Sequence, residues 1–158
     1  MVLLHGGGVD NAELSWGGLG DALSAAGHRV LAPDHPGFGQ TPLPDWTITQ
    51  ERLVEHTGRF IDAVLTDHQL DGPFAGPVQW LSWASLRVGA LGEISVPTLV
   101  VHGSKDTAVT VRRAVEAARA LPDATLLVVE GAGHWVQRDR PDRVVGAVVE
   151  FLRRVPAR

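Results

Sequence analysis

The chain contains no cysteine, which excludes disulfide staples and metal sites built on thiolates, although it does not fix the compartment. Its seven histidines form no H-x-H or H-E-x-x-H grouping, so the common zinc spacings are missing too. Positive charge is scarce: 14 Lys and Arg face 18 Asp and Glu, giving a net charge of −4 and a pI near 5.9. No broad basic face is available for a phosphate backbone, and nucleic acid is not an expected partner. There is no run of about 18 apolar residues and no basic, apolar leader after Met1, so neither a membrane span nor a secretion signal is expected. These absences favour a soluble, cytoplasmic protein with no cofactor. The many Ala, Val, Arg and Gly residues suit a GC-rich bacterial gene.

What is present is enough apolar material for a core. The 158 residues, 44% of them hydrophobic, with a mean hydropathy of +0.05, have the length of one ordinary domain. Strand-like and helix-like segments alternate, the pattern of an α/β fold with a mostly parallel sheet flanked by helices. Val2-Leu3-Leu4 reads as a strand feeding the glycine turn His5-Gly6-Gly7-Gly8. Leu19, Ala22, Leu23 and Ala26 then recur at helical spacing, and Gly27 stands where a helix C-terminus needs it. Arg29-Val30-Leu31-Ala32 is a second strand, leading into Pro33-Asp34-His35-Pro36-Gly37-Phe38-Gly39.

Thr47-Ile48-Thr49-Gln50 has a capping-box pattern before a helical face of Leu53, Thr57, Phe60, Ile61, Val64 and Leu65. The stretch from Asp67 to Ile94 breaks the rhythm with glycines, prolines and an indole-rich Trp80-Leu81-Ser82-Trp83. Regularity returns with a buried-strand pattern over Pro97–Gly103 and a helical stripe of Val111, Ala114, Val115, Ala118 and Leu121. Thr125-Leu126-Leu127-Val128-Val129 is another strand. Pro141 suits the first turn of a closing helix with the face Val144, Val145, Val148, Val149 and Leu152. With no repeat and no clear linker, residues 1–158 are expected to form a single domain with about four parallel strands.

Taken in order, His5-Gly6-Gly7-Gly8, Pro33-Asp34-His35-Pro36-Gly37-Phe38-Gly39, the strand-end Asp106 and the late Gly131-Ala132-Gly133-His134 resemble the α/β-hydrolase family of lid-containing serine hydrolases. The resemblance covers almost the whole chain. It implies that Asp106 is a catalytic acid, His134 a catalytic base, and the Gly7 N–H an oxyanion-hole donor. Chemistry supports the pairing: a hydroxyl is a weak nucleophile until an imidazole takes its proton, and the imidazole needs a carboxylate to hold its tautomer. The nucleophile is the departure, since no Gly-x-Ser-x-Gly occurs anywhere in the chain. Leu70–Ala75 resembles the approach to the strand that carries the elbow, whereas residues 76–94 resemble the end of a lid. An internal deletion joining Ala75 to Gly76 accounts for both and leaves a reduced α/β-hydrolase core.

Simpler roles stand beside each of these assignments. Asp106 suits a turn after a strand, and Gly7 suits a tight turn with or without an oxyanion. His5 and His102 are expected to be structural or pocket-lining, and Asp34 to shape the turn that follows its strand. Ser82 and Ser85 are candidate replacement nucleophiles, but bulky neighbours such as Leu81, Trp83 and Leu86 stand where a strained elbow needs glycine. Trp80, Trp83 and Leu86 read instead as an apolar patch. The implied ancestral activity is hydrolysis of an ester or C–C bond in a small apolar substrate. The alternative is a non-catalytic remnant or subunit-interaction module, and direct activation of water by Asp106 and His134 ranks below it. Lost central strands leave sheet edges open, so homo-oligomerisation through those edges is also expected.

Overall fold

The computed structural model describes residues 1–6, 9–67 and 88–155. Helix α1 (Ala12–Ala25) opens at Asn11, whose side chain accepts the Leu14 N–H at 2.8 Å, satisfying one of the free amides of the first turn. It closes as the sequence indicates. Gly27 adopts φ +90°, and the amides of Gly27 and His28 return to the carbonyls of Ser24 and Leu23, a Schellman arrangement that only a residue tolerant of positive φ completes without strain.

Helix α2 (Gln50–Asp67) buries Thr57 and Ile61, but its cap differs from the capping-box expectation. Thr49, not Thr47, accepts the Arg52 N–H through its hydroxyl and the Leu53 N–H through its carbonyl. The incoming chain brings the Trp46 ring to 6.0 Å from that of His56, and Thr47 and Ile48 are spent on the approach to the helix. Of the expected lid remnant, residues 76–87 lie outside the described residues, and Val88–Glu93 form a 3₁₀ turn.

Strand β1 (Thr98–Gly103) pairs in parallel with β2 (Ala124–Val129), from Thr98 opposite Ala124 to Gly103 opposite Val129. Helix α3 (Val111–Ala120) makes the crossover between them, and the one-turn α4 (Val136–Asp139) and α5 (Pro141–Arg154) follow β2. Successive side chains of a strand point to opposite faces, and β1 shows this directly. Val101 packs with Leu19, Leu23 and Val144 of α1 and α5, whereas Val100 packs with Leu91, Ile94 and Leu121 beside α3. Helices therefore cover both faces of the sheet, the arrangement of an α/β core. The face foreseen for α5 is the one it buries: Val144, Val145, Val148, Val149 and Leu152 all join the first cluster.

The expectation of about four regular strands needs correction. The only regular sheet among the described residues is two-stranded, and the N-terminal pair is reduced to a parallel bridge between Val2 and Leu31. Two hydrogen bonds hold that bridge, Leu3 N–H to Leu31 C=O at 2.8 Å and Leu31 N–H to Met1 C=O at 2.9 Å. Its ladder ends early for local reasons. Pro33 has no N–H to offer, and from His5 onward the chain is bonded to the His35 loop instead of to a neighbouring strand.

Candidate active site

Because β1 and β2 are parallel and in register, the loops leaving their C-terminal ends emerge side by side. Asp106 sits on the first and His134 on the second. Asp106 Oδ2 accepts from His134 Nδ1 at 2.8 Å. A carboxylate can only accept, so Nδ1 carries the proton and the lone pair is on Nε2. The His134 side chain is 56% exposed while that of Asp106 is 3% exposed, which places the buried charge behind the ring and Nε2 toward solvent.

The carboxylate is tightly held. Its Oδ1 accepts the amides of Ala108 at 2.8 Å and Val109 at 2.9 Å. Burial is the largest single influence on Asp106 and pushes its carboxyl up, but the Val109 amide, the His134 ring and the Ala108 amide together hold it below the ordinary carboxylate value. His102, buried beneath the loop, donates from Nε2 to the Val109 carbonyl at 2.9 Å and lies 3.5 Å from Asp106 Oδ2.

The two loops are also stitched by backbone. Ser104 N–H bonds to Val129 C=O at 3.0 Å and Lys105 N–H to Ala132 C=O at 2.8 Å. Between them Gly103 admits a contact no side chain could share: a Cβ there would lie 2.7 Å from the Ala132 carbonyl carbon and closer still to the carbonyl oxygens of Ala132 and Gly133. Trp135, next to His134, lies under the Arg138 guanidinium at 5.0 Å, a cation–π contact that the sequence did not signal.

At the glycine turn the chemistry is partly spent. Asp10, buried, accepts the Gly6 N–H at 3.0 Å and the Asn11 N–H at 2.9 Å, and the Ser15 hydroxyl lies 2.7 and 2.8 Å from its two oxygens. Neither Asp10 nor Ser15 stood out in the sequence, because an acceptor of backbone amides leaves no periodic signature. Gly7, the expected oxyanion donor, lies outside the described residues, as do Ser82, Ser85 and the Trp80–Leu86 patch. Behind the turn, His5 Nε2 accepts the His35 N–H at 2.9 Å, so its proton is on Nδ1, facing Gly6 C=O at 2.7 Å. Asp34 accepts the amides of Ala12 at 2.7 Å and Gln40 at 2.8 Å, joining its turn to the start of α1. Among the described residues, no cluster of three or more His, Asp or Glu is placed to hold a metal ion, and no helix is long and apolar enough to cross a membrane.

A family model described as "Alpha/beta hydrolase family" matches residues 62–147, more than half of the chain, and a second, "alpha/beta hydrolase fold", matches residues 1–71. The chain belongs to the α/β-hydrolase family. Epoxide hydrolase A of Mycobacterium tuberculosis is 33% identical over 139 residues, covering 81% of this chain and 40% of that protein. Protein ABHD14A of Danio rerio is 29% identical over 174 residues, covering 96% of this chain and 63% of that protein. This member of the family thus spans less than two thirds of either curated relative. Among solved structures, a CIB-like hydrolase from Thermoplasma acidophilum superposes with a TM-score of 0.77 at 24% identity, over 98% of this chain and 86% of that one. The meta-cleavage product hydrolase of Pseudomonas fluorescens gives 0.78 at 19% identity, over 96% and 89%. At these identities the likeness is one of fold.

Among the described residues, five ionisable groups have lowered values, the Met1 amino group and Glu51 among them, and all act on stability with the same sign; the other three lie in the loops described above. Burial, then the neighbouring His5, hold His35 below the ordinary imidazole value. Backbone hydrogen bonds from Ala12 and then Gln40 hold Asp34 below the ordinary carboxylate value, and Asp106 is held down as described. In each case the unfolded chain binds protons at a higher pH than the folded chain, so stability rises with pH through the interval between the two values. Chemical unfolding from pH 8 to pH 3 should show, beyond the part that the Met1 amino group contributes, one loss as pH drops below about 6.5, from His35, and a second below about 3.9, from Asp34 and Asp106. Asp34→Asn should flatten the second step. A stability that is flat or rises on acidification contradicts the assignment.

Proposed function

We propose that Asp106 and His134 are the acid and base of a hydrolase lineage acting on an ester or C–C bond of a small apolar substrate, and that the serine role is vacant in this chain. The observation that carries the reading is the 2.8 Å bond from His134 Nδ1 to a buried carboxylate, with Nε2 left toward solvent. That geometry suits a general base. In the lineage, Asp106 would fix the tautomer, Nε2 would take the proton of the nucleophilic serine hydroxyl, and the carboxylate would stabilise the imidazolium until the proton passes to the leaving group. This chain keeps the acid and base positions without that hydroxyl. The Gly7 N–H is the proposed donor to the oxyanion. Family membership and hydrolase relatives support the reaction class, and the absence of any Gly-x-Ser-x-Gly supports the vacancy.

A fluorophosphonate probe and an activated aryl ester test both halves of this reading. The expected result is no covalent labelling, with any ester turnover lost in His134→Ala and kept in Ser82→Ala and Ser85→Ala. Labelling at either serine, with turnover lost on its replacement, would refute the vacancy. Turnover that survives His134→Ala would refute the base.

A further inference from the structure

The His134 imidazole is more than half exposed, so side-chain packing alone does little to fix its direction. The backbone that carries it is held instead, and two of the holding groups are side chains with no part in the acid–base chemistry. Ser104 Oγ accepts the Gly131 N–H at 2.8 Å, and Asp139 Oδ2 accepts the Gly133 N–H at 2.6 Å. Between these anchors the Ala132 carbonyl accepts from Lys105 N–H.

We propose that Ser104 and Asp139 are positioning residues for His134, clamping the glycines on either side of Ala132 so that Nδ1 meets Asp106 Oδ2. The catalytic consequence rests on the acid–base reading above, whereas the clamp itself does not. Ser104 stands two residues before Asp106 in the chain, so one hydroxyl ties the base loop to the acid loop. Asp139 closes the other side. Its amide bonds to Trp135 C=O at 3.0 Å and its carbonyl accepts from Arg140 Nη1 at 2.8 Å, so the acceptor is itself fixed at the end of α4 and the chain from Gly133 to Asp139 becomes a closed ring carrying His134. A carboxylate accepting an amide makes a charge-assisted bond, stronger than a neutral one. A displacement of about 1 Å at a reacting group can cost roughly 100-fold in rate, so holding this turn matters more than its exposure suggests.

The test is NMR of the full chain. In the wild type, the amides of Gly131 and Gly133 should exchange slowly; rapid exchange of both would overturn the proposal without any variant. Asp139→Ala and Ser104→Ala should each weaken or abolish the hydrogen-bonded His134 Nδ1–H signal and shift the Asp106 titration midpoint up, because Asp106 loses a donor. Asp139→Asn keeps an oxygen acceptor and should restore both readouts. An unchanged Nδ1–H signal and Asp106 midpoint in folded Asp139→Ala and Ser104→Ala chains would overturn the clamp. None of these measurements needs turnover. The two readings therefore fail separately: labelling of a serine, or turnover that survives His134→Ala, counts against the acid–base reading alone, and folded Asp139→Ala and Ser104→Ala chains without the shifts count against the clamp alone.

Discussion

Gly103→Ala should be strongly damaging for the addition of a single methyl. The new Cβ would enter the carbonyl groups of Ala132 and Gly133, and these are backbone atoms on a loop already bonded to Ser104, Lys105 and Asp139. A flexible side chain could rotate away; this loop cannot. The expected cost is at least about 3 kcal/mol, the upper end of the usual overpacking range, read as a fall in the denaturant midpoint. The His134 loop should be pushed off Asp106 at the same time, with loss of the Nδ1–H signal. Gly146→Ala is the matched control. Nothing lies within 4 Å of a Cβ at that position in α5, so the same methyl should be neutral or stabilise the helix by up to about 1 kcal/mol. Equal effects at the two positions would show that the close approach at Gly103 is not the cause.

Asp106→Ala should produce the largest chemical effect. It removes the acceptor for the Ala108 and Val109 amides and for His134 Nδ1 in one step, and since these donors are exposed or part-buried and can turn to water, each lost bond costs about 0.5–1.5 kcal/mol. Asp106→Asn separates the structural part from the electrostatic one. Its Oδ1 can still accept the two amides, so stability should be largely kept, but a neutral amide neither holds the Nδ1–H tautomer nor stabilises an imidazolium. Any His134-dependent ester hydrolysis should then fall by up to about 10⁴-fold, the size of effect seen when a triad carboxylate is made neutral. Ester turnover in Asp106→Asn equal to the wild type would show that the carboxylate is not the partner of an active base.

The parts of the fold that were legible in the sequence are those governed by short-range rules. The α5 face, the α3 stripe, the Gly27 stop and the β1 and β2 runs each declare themselves through periodicity or through one residue with an unusual backbone preference. The order of Asp106 and His134 was legible because each follows an apolar strand, and a parallel register brings strand ends together. What was not legible depends on partners distant in the chain. Nothing in Ser104 announces Gly131, 27 residues on, and nothing in Asp34 announces Ala12, 22 residues back. The α2 cap falls at Thr49 for a related reason: Thr47 and Thr49 are equally good oxygen acceptors, and no local pattern decides between them. The shortness of the Val2–Leu31 pairing was hidden too, because apolar β-branched runs state a preference for extended chain but not how many residues find a partner.

The parallel register of β1 and β2 also bears on how the site comes into being. Asp106 and His134 are separated by 28 residues, with α3 and β2 between them, and together with the preceding β1 these make one strand–helix–strand unit. Closing a loop of that length costs little more chain entropy than closing a shorter one, and contacts that are near in sequence form early and fast. The packing of α1 on α5 must instead be gathered from opposite ends of the described chain. By that rule the pairing of Asp106 with His134 is expected to form ahead of the packing of α1 on α5.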